Sequence, residues 1–382
     1  GTFNMEGGSI SDNRATGGYG GYGGGVGMKG GTFNMKGGRI DKNKAPHNGG
    51  VYVGGGEYAG QYGTFTMSGG SISGNKATSS AGYNSRGGGV RVENGTFNMS
   101  GGSITGNEGG DGAGVYAGDG GTFTMSGGSI TGNNAQSGGG VYVVGTFTMY
   151  GGSITDNTAA NGGGVYVKYG TFAVSGAVKI TDNKWYTSAN NVRLYNDKTI
   201  TVNGLQQDAR IGVTTSGKFA TGADDTSLNY SEIFTHDTNS SEYDVVRDGE
   251  GNLSFAAHQH SWTYGVNTAG DTITAKCSGC SISGGSVTIQ APTRPTYDGT
   301  AKAATLVSSL DSTISVPSII YAKDGTTLDA APVDAGEYTA SITLGGVTAK
   351  VTFKIAKADA PAPSGLTGYV GKALSTVVLP AG

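Results

Sequence analysis

The sequence predicts an all-β protein built on a right-handed parallel β-helix, a solenoid in which each turn of the chain adds one coil of short strands. Three observations predict this fold. A thirteen-residue motif, which reads GTFTMSGGSITGN at 121–133, recurs in related form along the chain. Apolar and polar residues alternate within it, which is the period of a strand. Glycine supplies 74 of the 382 residues without the triplet period of collagen.

The spacing of the motif is typical of solenoid repeats. Its phenylalanines are separated by 30, 32, 32, 26, 24 and 25 residues, and a period in the twenties with variable insertions predicts stacked structural repeats. The phenylalanines are Phe3, Phe33, Phe65, Phe97, Phe123, Phe147 and Phe172.

Each repeat is expected to hold three short strands, GTFTM, SIT and VYV, separated by glycine turns. Alternation predicts which side chains fill the solenoid and which face outward. In the coil that starts at 121 the predicted interior is Phe123, Met125, Ile130, Val141 and Val143, and the predicted exposed residues are Thr122, Thr124 and Tyr142.

An asparagine follows the isoleucine of each second strand by three residues. Asparagine tolerates a left-handed backbone, and its amide can bond to a neighbouring coil. The repetition therefore predicts an internal ladder of Asn13, Asn43, Asn75, Asn107, Asn133, Asn157 and Asn183.

The chain is predicted to divide into five parts. Residues 1–195 are the β-helix repeats, and 196–256 are degenerate closing coils with a cap over the strand edges at the solenoid end. Residues 257–283 are a small Cys/His insert, and 284–357 are an all-β, sandwich-like module. Residues 358–382 are a linker and the start of a truncated further module. The chain opens inside a repeat, which we interpret as a fragment of a longer protein.

Composition argues against two classes of function. Charged residues are 14% of the chain and the net charge is −3, whereas nucleic-acid binding calls for a basic face. No run of 18 apolar residues occurs, so no membrane insertion is expected.

The motifs resemble those of a known class of surface protein. GTFTMSGGSITGN followed by GGGVYV resembles repeats of large cell-surface proteins of Gram-positive bacteria, which are related in style to polymorphic outer-membrane adhesins. YDGTAKAATL and the segment that begins APVDAGEYTASITL are similar to the all-β stalk modules called MBG domains. The resemblance implies extracellular display at the cell surface or cell wall. It also implies adhesion or scaffolding, and we expect a non-enzymatic protein. If the chain has a ligand, we expect a glycan or host surface molecule.

The centre of the VYV strand is the first candidate binding surface. If the valines face inward, Tyr52, Tyr116, Tyr142 and Tyr166 face outward, with Arg193 at the matching place on a later coil. Such an aromatic stripe is a candidate platform for sugar rings. The simpler interpretation is that these side chains only pair with one another along a parallel sheet.

Two further patterns define alternative functions. Asp12, Asp156 and Asp182 share one place in their coils, and a carbohydrate-active lyase or hydrolase would use carboxylates. Gly74, Gly106 and Gly132 fill that place elsewhere, which favours a simple turn position.

The other alternative is an ice-binding solenoid. Outward threonines pair as Thr64/Thr66, Thr122/Thr124 and Thr146/Thr148, but Asn34, Asn98 and Ala173 break the pattern. The preference of threonine for strands explains them equally well.

Both cysteines and two of the four histidines fall within 23 residues: His258, His260, Cys277 and Cys280. SWTYGV and DTITAKC are predicted to pair as a hairpin that brings the histidines beside the cysteines. Two thiolates and two imidazoles can complete tetrahedral coordination of a structural zinc ion, in a segment that we expect to have almost no core. A disulfide and free thiols remain alternatives. No other cofactor is required.

Overall fold

The structure, a computed structural model, describes residues 1–16, 22–55, 62–79, 85–215, 217–238, 241–280 and 282–359. It separates into two units, one spanning Gly1–His258 and a second that begins at Gln259. The glycine- and tyrosine-rich insertions at 17–21, 56–61 and 80–84 lie outside the described residues. The predicted further module, from residue 360 onward, also lies outside them.

The first unit contains a mainly parallel sheet of eleven strands in which each GTFTM-type segment pairs with the same segment of the next coil. In spatial order its strands are Thr2–Met5, Gly31–Met35, Gly63–Met67, Gly95–Met99, Thr122–Met125, Thr146–Met149, Thr171–Gly176, Ile200–Leu205, Gly217–Thr221, Leu253–Ala257 and Tyr243–Arg247. The last two form an antiparallel hairpin at the end of the sheet, within the segment where the sequence predicts a cap.

A second sheet of sixteen strands holds both the SIT-type and the VYV-type segments. Its first arm is Ser9–Ser11, Arg39–Asp41, Ser71–Ser73, Ser103–Thr105, Ser129–Thr131, Ser153–Thr155 and Lys179–Thr181. Its second arm is Val192–Leu194, Val165–Val167, Val141–Val143, Val115–Ala117, Val90–Val92, Val51–Gly54 and Val26–Lys29. Arg210–Val213 joins the two arms and also pairs with Phe234–His236.

Three short elements complete the first unit. Lys44–Ala45 pairs with Lys76–Ala77, and Lys184–Trp185 pairs with Ser188–Ala189. The four-residue segment Tyr230–Ile233 is the helix found in the described part of the chain. The predicted fold class, an all-β parallel β-helix, is therefore confirmed.

The core of the first unit follows the predicted alternation. Phe123, Met125, Ile130, Val141 and Val143 are all fully buried. Equivalent phenylalanines stack from coil to coil, because parallel strands hold identical positions about 4.8 Å apart. The ring centroids of Phe123 and Phe147 are 4.7 Å apart, and the two ring planes are nearly parallel. The register is thus the predicted one.

The predicted asparagine ladder is present inside this unit. The backbone N–H and Nδ2 of Asn133 both donate to Oδ1 of Asn157, at 3.0 and 2.9 Å, and Nδ2 also donates to the carbonyl of Ile104. The ladder ends at a residue that the repeat pattern does not reveal: Asn183 donates to Asn191, whose own N–H groups donate to the carboxylate of Asp237.

The left-handed backbone lies one residue before each asparagine, not at the asparagine as expected. Asp12, Asp156 and Asp182 have φ of 57°, 58° and 63°. Gly74, Gly106 and Gly132 take the same conformation in their coils. The turn needs a residue that tolerates positive φ, which explains why aspartate and glycine alternate there.

The second unit has two antiparallel sheets of four strands each. One contains Trp262–Val266, Thr272–Cys277, Ser283–Gln290 and Thr305–Ser308. The other contains Thr326–Leu328, Ile320–Lys323, Gly336–Leu344 and Val347–Ile355. Both sheets contribute to one core, which includes Ile273, Val287, Ile342 and Phe353. The Cys/His segment was expected to have almost no core, but its hairpin packs on the core of the module that follows.

Candidate functional site

The predicted tyrosine stripe is a ladder of side chains on consecutive coils. In order along the solenoid it runs Tyr52, Arg91, Tyr116, Tyr142, Tyr166 and Arg193. Arg91 was not among the predicted residues, although VRV at 90–92 matches the VYV pattern and was the signal for it. We call this set the tyrosine ladder.

Burial corrects the expectation that these tyrosines are exposed. Tyr116, Tyr142 and Tyr166 are only 3%, 8% and 6% exposed. The rings of Tyr116 and Tyr142 stack 5.4 Å apart, and Tyr166 meets Tyr142 edge-on at an interplanar angle of 78°. Because each ring packs against its neighbour and is almost wholly buried, none of the three offers an exposed face on which a sugar could stack. The simpler interpretation, pairing along the sheet, describes these three residues, while Tyr52 is half-buried and Arg193 is exposed.

A polar groove of about 280 Å³ lies beside the ladder. It is lined by Asp111, Gln136, Ser137, Tyr142, Asn161, Tyr166 and Lys168. Asp111, Ser137 and Asn161 occupy matching places on three consecutive coils, where they form parallel bridges. The amide of Asn161 donates to Oγ of Ser137 at 3.2 Å. We call this the Asp111–Lys168 groove.

The electrostatics of the groove centre on one carboxyl group. Burial raises the pKa of Asp111 to about 6, and the positive charges of Arg86 and Lys168 only partly offset that effect. Burial, with Asp111 as the next cause, also raises the pKa of the Tyr142 hydroxyl. The groove therefore presents a carboxyl that changes between acceptor and donor near pH 6, beside neutral hydroxyls and amides.

Lys168 is held at one end of the groove by aromatic rings. Its Nζ lies 3.4 Å from the ring centroid of Tyr195, and 5.4 and 5.7 Å from those of Tyr169 and Tyr166. Cations are attracted to ring faces at these distances. This cage fixes the ammonium group without neutralising it. Nothing in the motif shows that these positions converge, so the predicted residues did not include Lys168, Asp111, Gln136 or Asn161.

Arg91 anchors the other half of the ladder. Its side chain is buried, and its Nη2 donates to Oε1 of Glu93 at 2.7 Å. Its guanidinium lies 5.2 Å from the ring centroid of Tyr22 and 5.7 Å from that of Tyr116. A buried charge needs such a partner. Arg91 is therefore held in the ladder by Glu93 and by the rings beside it.

A second polar surface follows the asparagine ladder. The residue after each of the first four asparagines bridges to its counterpart on the next coil: Arg14, Lys44, Lys76 and Glu108. Lys76 pairs with Glu108. Together with Lys42 and Asp12 these residues line a groove of about 500 Å³. The dipeptides NR, NK, NK and NE were the sequence signal for this row of charged residues.

The other predicted surface candidates have ordinary structural surroundings. Asp12, Asp156 and Asp182 occupy the left-handed turn described above, and Asp182 accepts a hydrogen bond from Oγ1 of Thr181 at 2.7 Å. Thr122 and Thr124 were expected to be exposed but are half-buried, because neighbouring coils cover part of each side chain.

The Cys/His segment forms the predicted hairpin. Trp262–Val266 pairs antiparallel with Thr272–Cys277, with Trp262 opposite Cys277. Each of His258, His260, Cys277 and Cys280 offers one ligand atom, and these atoms all lie within 4.8 Å of one another. Cys277 is buried and the other three are half-buried. The two sulfur atoms are not joined to each other.

Comparison with protein-family models, curated proteins and solved structures gives no match to this chain. Among the described residues there is no helix with the length and apolar character that crossing a membrane requires.

Proposed function

We propose that this protein is a non-enzymatic adhesin or scaffold of the bacterial cell surface, and that its solenoid binds a glycan in the Asp111–Lys168 groove. The observation that carries the proposal is the set of polar groups gathered there. Asp111, Gln136 and Asn161 offer carboxyl and amide groups, and Lys168 offers a cation. Sugar hydroxyl groups both donate and accept hydrogen bonds, and a few convergent polar groups on a fixed scaffold are typical of ligand sites.

The rigidity of the scaffold supports the same function. The groove residues lie on coils of the solenoid whose inward-facing side chains, such as Val141 and Val143, are fully buried. Side chains on such a scaffold lose little further freedom when a ligand binds, and this preorganisation increases affinity.

The extracellular, cell-surface location rests on the likeness of the repeats to Gram-positive surface proteins and of the later segment to MBG stalk modules. In this proposal the solenoid is the binding element, and the second unit belongs to the stalk.

The groove supports binding over hydrolysis of the glycan. Glycosidases use two carboxyl groups about 5 to 9.5 Å apart. Asp111 is the one carboxylate among the residues that line the groove. A carbohydrate-active enzyme is therefore the alternative, and it requires a second acid from elsewhere.

A glycan array tests the proposal. The 382-residue chain is applied to printed bacterial cell-wall and mammalian glycans, and each glycan that binds is then titrated against groove variants. Asn161→Ala and Lys168→Ala should each weaken binding by about tenfold, the loss expected for one polar contact of about 1.4 kcal/mol. Tyr142→Phe tests the hydroxyl while it keeps the buried ring.

Tyr150→Ser is the matched control, because Tyr150 is 54% exposed and does not line the groove. Binding that is unchanged in Asn161→Ala and Lys168→Ala, or absent from every glycan on the array, would contradict the proposal. Reducing sugar released from a bound glycan would favour the enzyme instead.

A further inference from the structure

The Cys/His cluster has the donor set of a tetrahedral zinc site. Zinc binds imidazole nitrogen at about 2.0–2.1 Å and thiolate sulfur at about 2.3 Å, so ligand atoms around it are about 3.3–3.8 Å apart. Sγ of Cys280 lies 3.7 Å from Nδ1 of His260, which is already within that range. All four ligand atoms lie within 4.8 Å of one another. Side-chain movements of about 1 Å would complete the tetrahedron.

The backbone explains why these residues converge. The hairpin ladder continues past Trp262 and Cys277, since the N–H of Ser278 donates to the carbonyl of Ser261 at 2.9 Å. This pairing places His260 beside the Cys277–Cys280 turn. The N–H of Cys277 also donates to the carbonyl of Ile282 at 3.1 Å, and both sulfur atoms lie within 4.8 Å of the two imidazole ligand atoms.

Neighbouring side chains orient both histidines. Nδ1 of His258 lies 2.7 Å from the carboxylate of Asp244, an arrangement that assigns Nε2 of this ring to a metal. The ring of His260 stacks on Trp262 with a centroid distance of 4.8 Å. Nε1 of Trp262 in turn donates to Oγ1 of Thr313 at 3.2 Å. A carboxylate behind a metal-binding histidine is the usual way to fix the ring and raise its basicity.

From this geometry we infer that His258, His260, Cys277 and Cys280 bind one structural zinc ion. Two thiolates and two imidazoles in a tetrahedron select zinc over magnesium and calcium, which prefer oxygen ligands. Four protein ligands leave no open position for a substrate, so the ion is structural. The hairpin itself packs on the core of its unit through Ile273, so the fold of that core does not require the metal.

Metal analysis of the 382-residue chain, purified without chelator, tests the inference. We expect about one zinc per chain in the wild type and less than a tenth of that in the double variant Cys277→Ser/Cys280→Ser. Because the core of the unit is independent of the site, the variant should keep its strand content by circular dichroism. His236→Ala is the control for nonspecific histidine binding and should retain the full equivalent of zinc.

Two measurements on the wild type remain decisive if the variant does not fold. Replacement of zinc by Co²⁺ should produce the intense visible bands of a tetrahedral site and a thiolate charge-transfer band. Both thiols should react with a thiol reagent only after a chelator is added. Zinc-free protein with no reactive thiol, even when denatured, would establish a disulfide and overturn the inference. Zinc-free protein whose two thiols react without chelator would also overturn it, as would zinc that remains bound in the double variant.

Discussion

Replacing one rung of the asparagine ladder should destabilise the solenoid far more than replacing the residue beside it. The perturbation is Asn133→Ala. Asn133 is fully buried, and its Oδ1 accepts from both the backbone N–H and Nδ2 of Asn107, each at 2.9 Å. Its own Nδ2 donates to the carbonyl of Ile104 at 3.0 Å. Alanine has no side-chain amide, so the substitution removes all three of these hydrogen bonds at once.

The magnitude follows from the groups that are left behind. Two N–H groups of Asn107 lose their acceptor inside a core that excludes water, and each buried donor without a partner costs about 1–3 kcal/mol. The expected loss in the free energy of unfolding is therefore about 2–6 kcal/mol. The coils on either side should also be destabilised, because each coil of a solenoid is stabilised chiefly by its neighbours.

Urea denaturation followed by circular dichroism measures this loss, with Asn134→Ala as the matched control. Asn134 is the next residue along the chain and its side chain is exposed, so its loss should change the free energy of unfolding by less than about 0.5 kcal/mol. A free energy of unfolding for Asn133→Ala within about 0.5 kcal/mol of the wild-type value would refute this prediction.

Three further outcomes are expected in the same assay. Phe147→Ala removes a fully buried ring from the phenylalanine stack, so it should lower the free energy of unfolding by about 3–5 kcal/mol. Tyr150→Ala, at an exposed position, should leave it nearly unchanged. Equal effects of the two variants would contradict a stabilising role for the stack. The free energy of unfolding of Asp156→Gly should stay within about 1 kcal/mol of the wild-type value, whereas Asp156→Val should lose about 1–2 kcal/mol, because only the valine is strained at φ of 58°. Equal stability of the two variants would contradict the need for positive φ at this turn. Burial raises the pKa of Asp237 above its unfolded value, so the contribution of this group to stability is present below about pH 4 and is lost as pH rises through the folded pKa. The stability of Asp237→Asn relative to the wild type should therefore increase as pH rises from about 4 to about 7. A difference between the two proteins that does not change with pH would contradict this assignment.

Much of the first unit could be predicted because its interactions repeat locally. Alternation along a strand has a period of two, so Phe123 and Met125 could face the core only together, and a shift by one residue would have exposed both. Stacking then followed from repetition, since parallel strands place Phe123 beside Phe147 and Asn133 beside Asn157. The Cys/His hairpin was predictable for a similar reason: its two strands are adjacent in the chain.

Burial of the outward tyrosines could not be predicted from the motif. Alternation shows that Tyr142 points away from the valine core, but not what covers it there. Its neighbours Tyr116 and Tyr166 cover its ring. Exposure depends on the volume of side chains from other coils, which a pattern within one coil does not contain.

The sequence by itself determined the period, the register, the core and the pairing of the Cys/His hairpin, because each depends on alternation or on residues close together in the chain. Only the tertiary structure decided where polar groups meet. Asp111 and Lys168 line one groove although 57 positions separate them, Asp237 ends a ladder that begins at Asn13, and Asp244 orients His258. The physical reason is that hydrogen bonds, burial and pKa depend on distances in space, and the folded solenoid sets those distances between residues that no local period relates.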